Sequence, residues 1–304
     1  MKKYRGFILK QVTLLFLMAA LALSLVSCSN VKAEERTDEG KKAEKVIALS
    51  KSNAELWVLA GGSLIATSED ALEIEGLGEG VVDLGDMDHV SLEAVTALEP
   101  DLLILFSTDP AQKALGEAAE GIGINVYYTN IDGFSDYETV MTDLTAYTGR
   151  EDLYKKNVED VKRGIEDVAA GVPKDAEDAS YILLHVSATK AKVEKNDYFA
   201  CEIFNDLGLH NVAADDSSFD DLSLEAVVAA DPDYIFVVPR GDEAKAMDSF
   251  NELFSSQTAW DSLTAVEKGK YYLLDKESFG LKPNAEWANV YGQAYDLLYG
   301  NDEK

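Results

Sequence analysis

The sequence predicts an α/β protein made of two similar lobes with a cleft between them. The main observation is an internal repeat: residues 91–105 and 223–237 begin 132 residues apart and are identical at eight of fifteen positions. In each copy, a Ser N-cap precedes a short apolar helix, an acidic-Pro-Asp turn follows, and a continuous apolar strand comes next. Such strands are typical of parallel sheets covered by helices on both faces. The repeat therefore predicts two lobes.

The N-terminal segment, residues 1–28, has the features of a secretory signal peptide. Lys2 and Lys3 precede an apolar run from Val12 to Val26, which is short for a membrane-spanning helix. The run ends in Leu25-Val26-Ser27-Cys28, which resembles the lipobox of bacterial lipoproteins. The resemblance implies that Cys28 is the lipidated first residue of the mature chain; an ordinary signal peptide or an uncleaved anchor is the alternative.

The composition excludes several classes of protein. The 304 residues include 27 Lys and Arg against 56 Asp and Glu, for a formal net charge of −29. The charged residues within positions 1–28 are all basic, so removal of this segment makes the net charge more negative. This charge argues against a nucleic-acid partner. Cys201 is the only cysteine after Cys28, so no internal disulfide is expected. Residues 29–44 are polar and are predicted to form a flexible tether.

The first lobe is predicted over residues 45–135. Its elements in order are a strand at Lys45–Ser50, a helix at Ala54–Ala60, a strand at Leu64–Thr67, the first repeat copy, and a strand at Asn125–Tyr128. Residues 136–172 have apolar side chains at helical spacing, at Leu153, Val158, Val161, Ile165 and Val168. We therefore expect one long α-helix to join the lobes.

The second lobe is predicted over residues 178–300. It begins with a strand at Tyr181–Val186 and a helix around Phe199–Leu207, followed by the second repeat copy, a helix near Met247–Phe254, a strand at Tyr271–Leu274 and a terminal helix at Ala285–Leu298. Because the two lobes carry the same unit, the carboxyl ends of their strands are expected to border the cleft.

These elements resemble a known family. Residues 46–60, the two Ser-Leu-Glu-Ala-Val copies and residues 260–272 resemble the iron-siderophore, haem and cobalamin class of ABC-transporter substrate-binding proteins, over about Lys45 to Tyr299. The resemblance implies two Rossmann-like lobes joined by one rigid helix, which hold a small-molecule metal chelate and deliver it to a membrane permease dimer with its ATPase subunits. It also implies a monomer without an intrinsic cofactor, anchored by a lipid on Cys28 at the extracytoplasmic face of the cell membrane.

In that family, a Glu on the exposed rim of each lobe forms salt bridges with Arg residues of the permease, and the matching residues here are Glu93 and Glu225. Each is the third residue of a repeat copy, in the first turn of a helix, where a carboxylate is favoured by the helix dipole. Plain capping chemistry is the alternative explanation.

Ligand-contacting residues are expected in the loops that follow the strands. The candidates are Lys51, Ser52, Asn53, Ser107, Thr108 and Tyr128 in the first lobe, and His185, Tyr198, Arg240, Phe279 and Lys282 in the second. Aromatic rings beside a few cations favour a large planar or aryl chelate. Arg240 is the strongest candidate because it follows an apolar strand and its guanidinium can pair with a carboxylate or catecholate oxygen.

The number of arginines is small for a highly anionic ferric catecholate, which favours a hydroxamate siderophore, a corrinoid or haem. Haem needs an axial ligand, for which His185 is the best candidate, with Tyr128 and Tyr198 as alternatives. A lone His in a strand is also a common hydrogen-bonded core residue, so both interpretations of His185 stay open.

Three other functions compete with this one. A two-lobed protein that binds bare Zn or Mn needs converging ligands, whereas the three His here are scattered. An enzyme is not indicated: the Gly-rich segment at residues 76–80 does not join a strong strand to a helix, and Cys201 lies in an apolar helical pattern typical of a buried, inert thiol. A surface lipoprotein without a transport role would lack the cleft.

Overall fold

The computed structural model describes residues 43–300, apart from 175, 177, 216 and 221. The predicted signal peptide, the lipidation site Cys28 and nearly all of the predicted tether lie outside the described residues. Two α/β lobes are present, each built on a five-stranded sheet. The prediction of two α/β lobes is therefore confirmed.

The N-terminal lobe has an all-parallel sheet in the order β3-β2-β1-β4-β5. Its strands and helices are β1 (Val46–Ala48), α1 (Lys51–Leu59), β2 (Leu64–Thr67), β3 (Val82–Asp83), α2 (Leu92–Thr96), β4 (Leu102–Phe106), α3 (Pro110–Glu120) and β5 (Asn125–Thr129), with a 3-10 turn at Glu69–Ala71. Strands β1 and β4 lie at its centre and are apolar throughout, because helices cover both of their faces.

The connection between the lobes differs from the prediction of one long helix. It contains α4 (Phe134–Thr148), α5 (Glu151–Tyr154), a π-helical turn at Lys155–Glu159 and α6 (Asp160–Ala170). Gly149 ends α4 with a left-handed φ of 69°, a conformation that glycine adopts without strain. Residues 151–170 then form the long helix, about 30 Å in length.

The C-terminal lobe has its strands in the order β10-β9-β6-β7, and β8 pairs with β6. Its elements are β6 (Ser180–Val186), β7 (Ala191–Val193), α7 (Phe199–Asp206), β8 (His210–Asn211), α8 (Leu224–Ala230), β9 (Tyr234–Pro239), α9 (Glu243–Phe250), α10 (Thr264–Glu267), β10 (Tyr271–Leu273), α11 (Lys276–Phe279) and α12 (Trp287–Tyr299), with short 3-10 turns at Ser217–Phe219, Trp260–Ser262 and Asn284–Glu286 and a π-helical turn at Asn251–Ser255. Strand β7 runs antiparallel to β6, whereas the other pairings in this sheet are parallel.

The hydrophobic core has three layers, and the middle layer is shared by the lobes. Alternate residues of each central strand point to opposite faces of its sheet. Ile104 of β4 and Phe236 of β9 belong to one continuous cluster that also contains Trp287, whereas Leu103 and Ile235 pack in separate outer clusters, one in each lobe. The two lobes are therefore joined by buried apolar contacts as well as by the chain.

The repeat copies have the same local structure. The hydroxyl oxygens of Ser91 and Ser223 each accept a hydrogen bond at 3.2 Å from the amide three residues later, which caps α2 and α8. At the turn after each helix, Glu99 and Asp231 have left-handed φ values of 48° and 39°. The repeat therefore preserves the backbone geometry of the turn as well as its sequence.

The Asp of each Pro-Asp turn binds the start of the neighbouring parallel strand. Asp101 Oδ2 accepts hydrogen bonds from the amides of Glu44 and Lys45, at 2.9 and 2.8 Å, just before β1. Asp233 Oδ2 accepts bonds from the amide and hydroxyl of Ser180, at 3.0 and 2.9 Å, at the start of β6. Backbone hydrogen bonds, from Lys45 and from Ser180 respectively, hold the pKa of each aspartate below its usual value.

Candidate ligand-binding cleft

A cavity of about 730 Å³ lies between the lobes, at the carboxyl ends of their central strands. On the side of the N-terminal lobe, the cavity is lined by Ser50 and Lys51, which come after β1, and by Phe106 at the end of β4. On the side of the C-terminal lobe, it is lined by Arg240, which follows β9. This edge is where open α/β sheets bind ligands, and the volume lies within the range of small-molecule sites.

The start of helix α1 is held rigidly at the edge of the cleft. Ser50 has a φ of 90°, and its hydroxyl accepts a hydrogen bond from the amide of Asn53 at 3.2 Å. The Ser50 amide donates to Ser68 Oγ at 2.8 Å, and the Lys51 amide donates to Asp70 Oδ2 at 2.9 Å. Ser68 and Asp70 therefore position the loop that carries Lys51.

Five of the predicted ligand residues line the cleft: Lys51, Ser52, Tyr198, Arg240 and Lys282. The Tyr198 hydroxyl donates to the carbonyl of Phe279 at 2.7 Å, so this group is engaged within its own lobe. Lys282 Nζ lies 5.3 Å from the centre of the Phe199 ring, and burial lowers the pKa of Lys282.

Five others do not line it. Asn53 is fully buried and its side chain bonds the carbonyl of Leu49 and the hydroxyl of Thr129. Tyr128 packs its ring against Gly116 inside the N-terminal lobe, and Phe279 stacks on Phe204 inside the other. Ser107 donates to the Thr129 carbonyl at 3.2 Å, and Thr108 is exposed outside the cleft. These five residues were expected to contact a ligand in the cleft, but none of them lines it.

His185, the candidate axial ligand for haem, lies beside the cleft and not in it. It lines a smaller cavity that adjoins the cleft. Its Nδ1 is 2.8 Å from Glu194 Oε1, and its side chain is only 9% exposed. Because a carboxylate only accepts hydrogen bonds, Nδ1 carries the proton of this bond. Ligation of a metal by His185 stays a prediction.

Polar contacts cross the cleft at its floor. The side-chain amide nitrogen of Asn284, Nδ2, donates to Glu55 Oε2 at 2.8 Å, and the Ser52 hydroxyl donates to Asn284 Oδ1 at 3.4 Å. Asn284 is buried with a φ of 50°, a conformation that Asn tolerates better than most residues. Lys51 forms an ion pair with Glu277 at 3.6 Å. The N-terminus of α1 thus contacts the C-terminal lobe directly.

Phe199, which lines the cleft, belongs to a cluster of aromatic rings that lies beside the carboxylate of Glu202. Trp287 packs edge-to-face against Phe134 and Phe199, with ring centres 5.8 Å apart in both pairs. Both carboxylate oxygens of Glu202 accept from the Phe134 amide at 3.2 Å, which caps α4. Burial raises the pKa of Glu202. The connecting helix α4 is therefore fastened to the C-terminal lobe where it begins.

The predicted docking residues Glu93 and Glu225 are both exposed, each in the first turn of its helix. In residues 43–300, leaving out the four gaps, no group of three or more His, Cys, Asp or Glu side chains is placed to hold a metal ion. Cys201 is buried, and burial raises the pKa of its thiol to about 12. No helix in the described part of the chain has the length and apolar character to cross a membrane.

Two lobes that share a core and enclose a cleft at the carboxyl ends of their strands define a two-lobed binding protein. The chain belongs to the periplasmic binding protein family, whose model matches residues 46–278.

Individual proteins resemble this chain in sequence or in fold. The Fe(3+)-citrate-binding protein YfmC of Bacillus subtilis is 26% identical over 202 residues, which cover 64% of this chain and 60% of that protein's length. An ABC transporter substrate-binding protein from Listeria monocytogenes has the same fold, with a TM-score of 0.73 and 20% identity over 86% of this chain and all of that chain. IsdE of Staphylococcus aureus, solved with haem, has a TM-score of 0.71 and 17% identity over 83% of this chain and 98% of that chain.

Proposed function

We propose that this protein is the extracytoplasmic substrate-binding lipoprotein of an ABC importer, and that it carries an iron chelate, haem or a corrinoid in the cleft. The observation that carries the proposal is the cleft of about 730 Å³, bordered by cations and aromatic rings from both lobes. Its volume is that of a drug-sized ligand and far exceeds the space that a bare ion occupies.

The relatives support this class of cargo. YfmC is named for binding ferric citrate, and IsdE has been solved with haem. Both cargoes are metal complexes of an organic ligand. Arg240, which lines this cleft and has no ion pair among the described residues, can neutralise one of their acidic groups.

Ligand titration of the purified protein tests the proposal. We expect ferric citrate, a ferric trihydroxamate, haem or cobalamin to quench the fluorescence of Trp287. This residue does not line the cleft itself, but it directly follows the cleft residue Glu286 in the sequence. A ligand at 100 times its Kd stabilises the folded state by about 2.7 kcal/mol and raises the Tm. Zn²⁺ and Mn²⁺ serve as competing ligands: saturable binding of either ion, with no response to any chelate, would refute the proposal.

Membrane attachment is tested separately, through Cys28. We expect the wild-type protein to incorporate labelled fatty acid and to sediment with membranes. The Cys28→Ala variant is expected to lose the label. A variant that keeps the label would contradict lipidation at this residue, while the binding experiment would be unaffected.

A further inference from the structure

A second cavity, of about 260 Å³, adjoins the cleft on its C-terminal side; we call it the side pocket. It shares Tyr198 and Arg240 with the cleft, and its remaining polar wall consists of His185, Lys192, Glu194 and Lys276. Because the two cavities have wall residues in common, one molecule can occupy both. The side pocket is too small for a whole chelate but large enough for one substituent.

The β6–β7 hairpin brings three of these side chains together. His185 and Lys192 are opposite partners in the antiparallel register, so they lie on the same face, and Glu194 comes two residues after Lys192. Glu194 Oε1 lies 2.8 Å from His185 Nδ1 and 2.9 Å from Lys192 Nζ, and the Glu194 side chain is only 6% exposed. The carboxylate thus fixes the positions of both neighbours.

Glu194 is ionised, and its negative charge is paired with the positive charge of Lys192. Burial alone would raise the pKa of this carboxyl, but the hydrogen bonds from His185 and Lys192 outweigh burial and hold the pKa below its usual value. Since Lys192 neutralises Glu194, the other cations of the side pocket remain uncompensated within it.

Those cations are Arg240 and Lys276. Arg240 is exposed, and among the described residues its guanidinium has no ion pair. Lys276 Nζ donates to the carbonyl of Gly241 at 3.1 Å, which keeps this lysine beside the loop that carries Arg240. In a chain with a net charge of −29, a pocket with an excess of positive charge is selective for an anionic group.

We propose that the side pocket binds a carboxylate substituent of the cargo, while the metal-bearing part of the cargo occupies the cleft. This inference rests on the proposed function and narrows it to chelates with free carboxylates. Arg240 offers the planar pair of N–H donors that matches a carboxylate, and Lys276 supplies a second positive charge.

The test compares ligands that differ in their carboxylates. Ferric citrate and haem carry free carboxylates, whereas haem dimethyl ester and a neutral ferric trihydroxamate do not. Kd values are measured for the wild type, for Arg240→Gln/Lys276→Gln, and for the control Lys245→Gln, which changes an exposed lysine on α9. We expect the double variant to bind ferric citrate or haem at least about tenfold more weakly, and the control to match the wild type.

Three results would overturn the inference: an unchanged Kd in the double variant, an equal loss for the ester and the free acid, or wild-type binding restricted to the neutral trihydroxamate. A fourth is a change in the haem Soret band that disappears in His185→Ala while affinity in Arg240→Gln/Lys276→Gln is unchanged, because the pocket would then serve axial ligation. Failure of the wild type to bind any chelate would refute the proposed function instead.

Discussion

The two lobes share their framework and differ at the edge that borders the cleft. Both have a Ser-capped helix with an exposed Glu in its first turn, a left-handed acidic residue at the turn, and an Asp that binds the start of the adjacent strand. In the residues that the structure describes, the strands of the N-terminal sheet all run parallel, whereas the C-terminal sheet adds the antiparallel strand β7.

That additional strand accounts for the asymmetry of the site. It supplies Lys192 and leads into Glu194, and together with His185 these residues form the wall of the side pocket. The N-terminal lobe contributes Lys51 to the cleft, and Lys51 is already paired with Glu277. The comparison shows that the repeated unit has the same local structure in both lobes. We propose that it also provides the docking sites, and that ligand selectivity comes mainly from the C-terminal lobe.

The largest expected effect tests the equivalence of the lobes. Glu93→Ala combined with Glu225→Ala should abolish cellular uptake of labelled chelate while leaving Kd unchanged, and each single change should weaken docking by about tenfold or more, to a similar extent. Glu243→Ala, at an exposed Glu in the first turn of α9, is the matched control. A large effect from only one of the two glutamates would break the equivalence, and a lost ligand affinity would refute docking.

The second prediction concerns the core that the lobes share. Trp287→Ala should lower the free energy of unfolding by about 3–5 kcal/mol, because a fully buried ring is lost from the shared cluster, where it contacts the connecting helix α4 and the C-terminal lobe. Trp260→Ala, within the outer core of the C-terminal lobe, is the comparison. Calorimetry should show one transition that both substitutions shift; two transitions, one of them unaffected by Trp287→Ala, would mean that the lobes unfold independently.

The third prediction concerns the paired aspartates. Asp101→Ala and Asp233→Ala should each lower the Tm by a few degrees at neutral pH, since strand-start amides lose their acceptor. The folded-state pKa of each carboxyl is below its unfolded value, so the stabilisation is present above about pH 4 and is lost as the pH falls through the folded-state pKa.

Thermal unfolding between pH 2 and pH 7 measures this loss, with Asp248→Ala as an exposed control on α9. The difference in Tm between wild type and variant should narrow in acid for both aspartates. A difference that persists at pH 2 would contradict the role of the ionised carboxylates, and a difference that appears for only one of the two would show that the turns are not equivalent.

The smallest effect is expected for the ion pair between the lobes. Lys51 and Glu277 are 43% and 65% exposed, so a double-mutant cycle with Ala should give a coupling energy below about 1 kcal/mol. The pair Lys245–Asp242, which lies within one lobe, is the reference and should give a similar value. A coupling of several kcal/mol for Lys51–Glu277 alone would identify this pair as a lock between the lobes.

Much of the fold could be predicted because its signals are local. The Ser cap, the Pro-Asp turn and the apolar run that follows are each readable within a few residues. The break at Gly149 was missed, although a glycine after an apolar helical pattern is the usual sign of a helix end. The apolar spacing that supported one long helix lies entirely after that glycine, at residues 153–168, and the residues before it form the separate helix α4.

The candidate site was harder to predict. Lys51 lies three residues after β1, and Arg240 directly follows β9; both line the cleft. Tyr128, near the end of β5, and Asn53, in the first turn of α1, lie close to the same edge of the sheet, but their side chains face the interior of the lobe. Position after a strand indicates which edge a residue occupies, and not the direction in which its side chain points.

The pattern of residues along the chain was sufficient to establish two α/β lobes, their repeated unit and the edge of the sheets at which the cavity lies, because helices, turns and buried strands depend on neighbours in sequence. The contacts of Asn284 with Glu55 and of Glu194 with His185 and Lys192 became apparent only from the packing. They join residues from different elements, and in the case of Asn284 from different lobes. Such contacts depend on how the sheets and helices are arranged in space.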